Sequence, residues 1–167
     1  MNLFIKSDIQ KFLLGFEKAQ EVLNNPTFWK AIASHPGFDN TKISPDEIAT
    51  LLQETGHQIT LEDWKPTELE AITKYRKTNA KTVNKELIHL NVRKSARSIQ
   101  QIAGTIIHEG IHAIDLAHLD KTFGHAGNSR TGNENTAPYW IGDLVINILK
   151  GTYEPSKSFK YFLTEED

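Results

Sequence analysis

The chain has 167 residues, of which 38% are hydrophobic, and its formal net charge is −2. These values are typical of one globular domain with a core large enough to fold alone, and they exclude a molecule that binds nucleic acid through its overall charge. Because the chain has no cysteine, disulfide bonds and thiolate metal ligands are excluded as well.

No stretch of the sequence approaches the roughly 18 uncharged apolar residues that a membrane-spanning helix needs. The segment MNLFIKSDIQKF contains Lys6 and Asp8 too early for the apolar region of a signal peptide. We therefore predict a cytoplasmic protein without membrane contact, with leaderless export as the alternative.

The first half of the chain is predicted to be mainly helical. Apolar residues recur at helical spacing between about residues 6 and 23, with Ser7 as the expected N-cap. The segment NNPTFWKAIAS indicates a turn into a short helix. A further helix is predicted over SPDEIATLLQE, where Ser44 caps the helix and Pro45 occupies its first position. Helical character returns near residues 66–77.

From Thr82 the periodicity changes to that of a strand. In TVNKELIHLNVR, Ile88, Leu90 and Val92 alternate with more polar residues, so one face of the strand is expected to be buried. A long helix is predicted over SARSIQQIAGTIIHEGIHAIDLAHL. The loop KTFGHAGNSRTGNEN follows, and then a last helix over TAPYWIGDLVINILKG that Gly151 closes.

This order of elements predicts an α+β fold in a single domain, residues 1–167. It consists of a helical N-terminal layer, a short sheet, a central helix and a C-terminal packing helix. The active-site core is expected at about residues 82–150.

The central helix contains HEGIH, an H-E-x-x-H motif, at residues 108–112. Histidines four positions apart share a helix face, so His108 and His112 can bind one metal ion, for which Zn²⁺ is expected. Glu109 projects beside that ion, where it can take a proton from a zinc-bound water and return it to a leaving amine. The motif therefore predicts a zinc site with Glu109 as general base.

A zinc site needs a third protein ligand, and four residues compete for positions around the ion. Asp115, two helical turns after the first histidine, is expected to hold an imidazole N–H rather than the metal. His118 has the spacing of a metzincin ligand, but a continuous helix would turn it roughly 80° aside. Glu134, near the start of the last helix, is a candidate of the gluzincin type. His125 lies in the loop, where the chain can leave the helix and double back.

Residues 87–128 resemble the SprT-like and related minigluzincin metallopeptidases. Those proteins have H-E-x-x-H followed by about a dozen residues and a Gly-His or Pro-His loop, and FGHAGN has the same loop pattern here. The succession of ELIHLNV and IAGTIIHEGIH is similar to their order of strand and motif helix. The resemblance implies a zincin-like fold that hydrolyses peptide bonds. It also implies that His108, His112 and His125 bind Zn²⁺ and that water takes the fourth position.

The chain departs from that family in two respects. The segment AGNSRTGNENTAPYW separates the loop histidine from the next helix, which keeps Glu134 as a rival ligand. The cysteine zinc ribbon that SprT proteins often carry has no counterpart in a chain without cysteine.

Two further features suit a protease that acts on a protein or peptide substrate. Tyr139 and Arg130 follow the ligand loop and are candidates to stabilise an oxyanion opposite the zinc. The strand at Leu87–Val92 is expected to offer an edge to an extended peptide.

The segment from Lys74 to Arg97 holds eight basic residues against one acid, Glu86. Solvated lysines around a strand and turn explain such a segment most simply, and a nucleic-acid partner is the alternative. The sequence thus leaves three rivals to a general peptidase. They are a non-catalytic zinc protein closed by a fourth ligand, a nucleic-acid-associated protease that docks through residues 74–97, and a secreted or injected effector.

Overall fold

The computed structural model describes residues 1–118, 122–125 and 129–155. Within these residues the fold is mixed α/β, which agrees with the predicted α+β class. The strands are β1 (Asn2–Lys6), β2 (Gln58–Trp64), β3 (Ala80–Asn84) and β4 (Leu87–Asn91). The helices are α1 (Gln10–Leu23), α2 (Pro26–Ala33), α3 (Pro45–Glu54), α4 (Glu68–Thr73), α5 (Ile99–Ala117) and α6 (Ala137–Lys150).

The strands form one sheet in the order β1-β2-β4-β3. β1, β2 and β4 are parallel, whereas β3 runs antiparallel to β4 and forms one edge of the sheet. The pairing of β3 with β4 is irregular between Thr82 and Asn84, so Val83 is an extra residue of the kind found in a β-bulge. The central strands bury the apolar residues Ile59, Leu61, Ile88 and Leu90.

The strand predicted from Thr82 is in fact the β3–β4 hairpin, with its turn at Lys85 and Glu86. β4 is an interior strand because β2 pairs with it on one side and β3 on the other. The prediction that Leu87–Val92 offers an edge to a peptide is therefore wrong. The edge on this side of the sheet belongs to β3.

The amino-terminal segment also differs from its prediction. β1 takes the first residues, so helix α1 begins at Gln10, and Ser7 is not its N-cap. The Ser7 hydroxyl instead accepts a hydrogen bond from the Ile9 N–H. The predicted helix at residues 66–77 shortens to α4.

Helix α5 lies at the centre of the molecule, against the sheet and between α1 and α6. Its first turn has a reciprocal capping box between Ser98 and Gln101, which fixes where the helix starts. α5 and α6 cross at two glycines, where a Cβ on Gly104 would lie 2.8 Å from the carbonyl oxygen of Gly142. Only glycine allows the two backbones to approach this closely.

Helix α6 ends at Gly151, as predicted, with the left-handed backbone conformation that favours glycine at this position (φ 68°). None of the helices in the described ranges combines the length and hydropathy needed to cross a bilayer.

Candidate metal centre

Helix α5 fixes two of the three histidines of the candidate site. His108 and His112 lie one turn apart, with ring centroids 5.0 Å from each other. The opposite side of the same helix is fully buried in the core through Ile106, Ile107, Ile111 and Ile114. A helix anchored in this way cannot rotate without exposing its isoleucines, so both rings are held toward one side.

The loop after α5 brings His125 to these rings. Its Nε2 atom lies 2.9 Å from Nε2 of His112 and 3.4 Å from Nε2 of His108. Among the described histidine, cysteine and acidic residues, these three form the one group that could hold a metal ion. Three ligand nitrogens therefore converge on one point.

Asp115 on α5 holds the part of the loop that precedes His125. Its Oδ1 accepts a hydrogen bond from the Phe123 N–H at 2.7 Å, and the carboxylate also accepts one from the Gly124 backbone. A Cβ on Gly124 would lie only 2.7 Å from Asp115 Oδ2, so glycine is required for this approach. Phe123 is fully buried, and the Thr122 carbonyl accepts a hydrogen bond from Thr41.

Asp115 was expected to hold an imidazole N–H. The hydrogen bonds that the structure gives this carboxylate go to the loop backbone. Asp115 therefore helps to position His125, the residue that follows Gly124 in the chain.

The electrostatics of the pocket favour neutral imidazoles. Burial lowers the pKa of His108 well below its ordinary value, and the rings of His112 and His125 lower it further. Burial, with a smaller contribution from His125, lowers the pKa of His112 to about 4. Both rings are neutral near pH 7, and each has one nitrogen lone pair available for a metal ion.

A hydrogen bond to the Pro138 backbone carbonyl orients the His108 ring. Because Nε2 faces His125, Nδ1 is the nitrogen left to donate that bond, and Nε2 keeps its lone pair. The Tyr139 ring covers the site from α6, with its centroid 4.6 Å from those of both His108 and His125.

The donor set fits Zn²⁺. Two nitrogens bound to a tetrahedral zinc ion at about 2.0–2.1 Å lie about 3.3 Å apart. The separations that His125 Nε2 makes with the other two Nε2 atoms, 2.9 and 3.4 Å, lie on either side of that value. Among the described histidine, cysteine and acidic residues no fourth donor joins the three imidazoles, and a tetrahedral ion held by them would have one position for a substrate or water.

Glu109 lies next to the sheet edge. Its Oε2 accepts a hydrogen bond of 2.7 Å from the hydroxyl of Thr82 on β3. Burial raises the pKa of Glu109, and the bonds from Thr82 oppose that shift. The carboxyl group is thus held toward the edge strand β3.

The two rival ligands lie apart from this cluster. His118 caps the carboxyl end of α5 and lines a surface cavity of about 410 Å³ together with Glu54 and His57. Glu134 accepts a hydrogen bond from the Gly132 N–H in its own turn.

Arg130, one of the predicted oxyanion groups, forms a two-pronged ion pair with Asp143 on α6, which is 5% exposed. Its guanidinium carbon lies 5.8 Å from the Tyr139 ring centroid. We therefore assign Arg130 to attaching the loop to α6. Neither Thr82 nor Asp143 was identified as a site residue from the sequence.

Comparison with protein-family models, curated proteins and solved structures finds no match.

Proposed function

We propose that the protein is a zinc-dependent metallopeptidase of zincin-like fold. The observation that carries the proposal is the convergence of three imidazole Nε2 atoms, those of His108, His112 and His125. Two of these residues belong to the H-E-x-x-H motif, in which Glu109 directly follows His108 in the chain. The resemblance of residues 87–128 to SprT-like and minigluzincin enzymes supports the same conclusion.

In this proposal His108, His112 and His125 hold the ion. Bound there, Zn²⁺ would acidify a water molecule and polarise the scissile carbonyl. Glu109 takes a proton from the attacking water and later donates it to the leaving amine. The raised pKa of its buried carboxyl group suits a residue that must act first as a base and then as an acid.

The substrate is proposed to be an extended peptide segment. Within the described part of the chain β3 pairs with β4 alone, so its other side can hydrogen-bond to an added strand. Because Thr82 of β3 contacts Glu109, a peptide on this edge would lie beside the general base. Tyr139, whose ring centroid lies 4.6 Å from that of His108, remains the candidate for stabilising the oxyanion.

Glu109→Gln tests the proposal. The amide has the same shape but cannot take the proton. The rate of hydrolysis of a cleavable peptide should therefore fall by roughly 10²–10⁴-fold, the usual effect of losing a general base. Zinc content and the circular dichroism spectrum should stay those of the wild type. The matched control is Glu134→Gln, the same change outside the cluster, which should keep full activity.

A wild-type protein that binds zinc but cleaves none of a broad peptide library would favour the non-catalytic zinc protein. Equal activity of Glu109→Gln and the wild type would remove Glu109 from the mechanism.

A further inference from the structure

We propose that Thr82 is a positioning residue that fixes the carboxylate of Glu109 against the edge strand β3. The inference deepens the proposed peptidase function and rests on it for its kinetic consequences. It names a residue that neither the motif nor its spacing indicates, since Thr82 and Glu109 are 27 positions apart in the chain.

The first observation is the placement of a polar residue on an apolar face. In the β3–β4 register Thr82 lies opposite Ile88, which is fully buried, and Ala80 lies opposite the buried Leu90. A hydroxyl on this face needs a hydrogen-bond partner. Its partner is the carboxylate of Glu109, at 2.7 Å, on the helix that packs against the strand.

The second observation is that the hydroxyl has two acceptors on the same residue. Thr82 Oγ1 lies 2.7 Å from Glu109 Oε2 and 2.9 Å from the Glu109 main-chain oxygen. A hydroxyl has one proton and rotates freely, so it donates to one of these oxygens at a time. Of the two, the carboxylate oxygen lies at the shorter distance and is the stronger acceptor.

The third observation is the irregular pairing directly after Thr82. The extra residue Val83 interrupts the ladder between Thr82 and Asn84. Bulges of this kind redirect a side chain and are frequent beside active sites. The bulge and the hydrogen bond together connect the position of the strand to the position of the base. A peptide that adds to β3 would therefore bind to a strand that already holds Glu109.

The test compares Thr82→Val, which has the same shape but no hydroxyl, with Thr82→Ser, which keeps the hydroxyl. If the lost hydrogen bond to a charged group stabilises the transition state, its loss corresponds to a decrease in the rate constant of about 10- to 100-fold. We expect kcat for Thr82→Val to fall by about that factor, with KM and zinc content unchanged. Thr82→Ser should stay within about threefold of the wild type.

A second readout does not need turnover. The side-chain carboxyl carbon of Glu109 can be assigned by NMR as the resonance that is missing from Glu109→Gln. It should move in Thr82→Val and stay in place in Thr82→Ser.

The outcomes separate the two proposals. If the wild type cleaves no peptide, the peptidase function fails, and the Glu109 resonance still decides whether Thr82 holds the carboxylate. If Thr82→Val keeps its kcat, or if the resonance is the same in the wild type and Thr82→Val, the positioning role is overturned. If both variants lose kcat equally, the hydroxyl is not the cause, which also overturns it.

Discussion

His35 and His112 are histidines in different parts of the molecule, and burial lowers the pKa of each to about 4. The His35 ring stacks on Phe38 with centroids 4.2 Å apart, and its Nδ1 accepts the N–H of Gly37. In contrast, Nε2 of His112 faces Nε2 of His125 at 2.9 Å. Both histidines are therefore neutral near pH 7, but a ring nitrogen of His35 accepts a backbone N–H, whereas a ring nitrogen of His112 faces another imidazole.

The comparison separates a packing histidine, His35, from a candidate metal ligand, His112. Burial alone makes an imidazole neutral in either place, so a lowered pKa does not indicate a metal site. The two histidines differ in what surrounds their ring nitrogens. Around His35 the polar contacts are made with backbone and side-chain groups of the protein, whereas in the cluster the Nε2 atoms of three rings face one another. A cation bound between the three rings would accept their nitrogen lone pairs.

The largest effect should come from removing a ring of the cluster. His112→Ala and His125→Ala should each weaken zinc binding by more than about 100-fold, because loss of a ligand exceeds the effect of losing a residue that only orients one. Zinc titration against a competing chelator measures the affinity. His35→Gln changes a buried histidine outside the cluster and should leave the affinity unchanged, as should His118→Ala.

The same titration decides between the ligand candidates. Loss of zinc from Glu134→Gln, combined with full retention in His125→Ala, would reassign the third ligand to Glu134.

A smaller effect is expected at Asp115, which bonds to the loop backbone and is not a member of the three-histidine group. Asp115→Ala removes the acceptor of the Phe123 and Gly124 N–H groups, so His125 loses its fixed position. Zinc affinity should fall by about 10- to 100-fold, as is typical for residues that support a ligand. Asp63→Ala, which removes an exposed carboxylate from β2, is the control. An unchanged affinity in Asp115→Ala would mean that the loop is held by other contacts.

The smallest effect concerns His35 and the pH. Its pKa is about 4 in the folded protein and 6.5 ordinarily, so the unfolded chain binds the proton first as the pH falls. The stability that the neutral ring contributes is complete above pH 6.5 and is lost as the pH falls toward 4. Urea unfolding of zinc-free protein at pH 7 and pH 5, roughly the upper and middle parts of this window, measures the change.

His35→Gln should lose less stability between those two pH values than the wild type. Equal losses would show that His35 is protonated without cost in the folded state. The histidines of the cluster contribute to the acid sensitivity of both the wild type and His35→Gln. The difference between their losses of unfolding free energy therefore isolates the contribution of His35.

The sequence was most informative where the signals are local. Ser44 caps α3 with Pro45 at the first helical position, and Gly151 closes α6, both as predicted. The H-E-x-x-H spacing and the loop histidine led to the three residues that lie together, because a helix and a short return of chain determine their positions. That these residues bind zinc stays a prediction.

The features that the sequence did not reveal depend on distant pairing. β1 and β2 are parallel strands without a connecting turn, so nothing next to them marks their partners. The contact of Thr82 with Glu109 depends on how the β3–β4 hairpin lies against α5, which no spacing along the chain encodes. The sequence also predicted that β4 is an edge strand, which is wrong for the same reason. The turn at Lys85 was interpreted as part of one continuous strand, and the pairing of that strand with β3 was not recognised.

The parallel pairing of β1 with β2 has a kinetic consequence. It joins Lys6 to Glu62 across 56 positions, whereas the β3–β4 hairpin closes over a short turn. The entropy of closing a long loop must be overcome before the distant strands gain any contact. We therefore expect the hairpin and α5 to form early in refolding and β1 to join the sheet late.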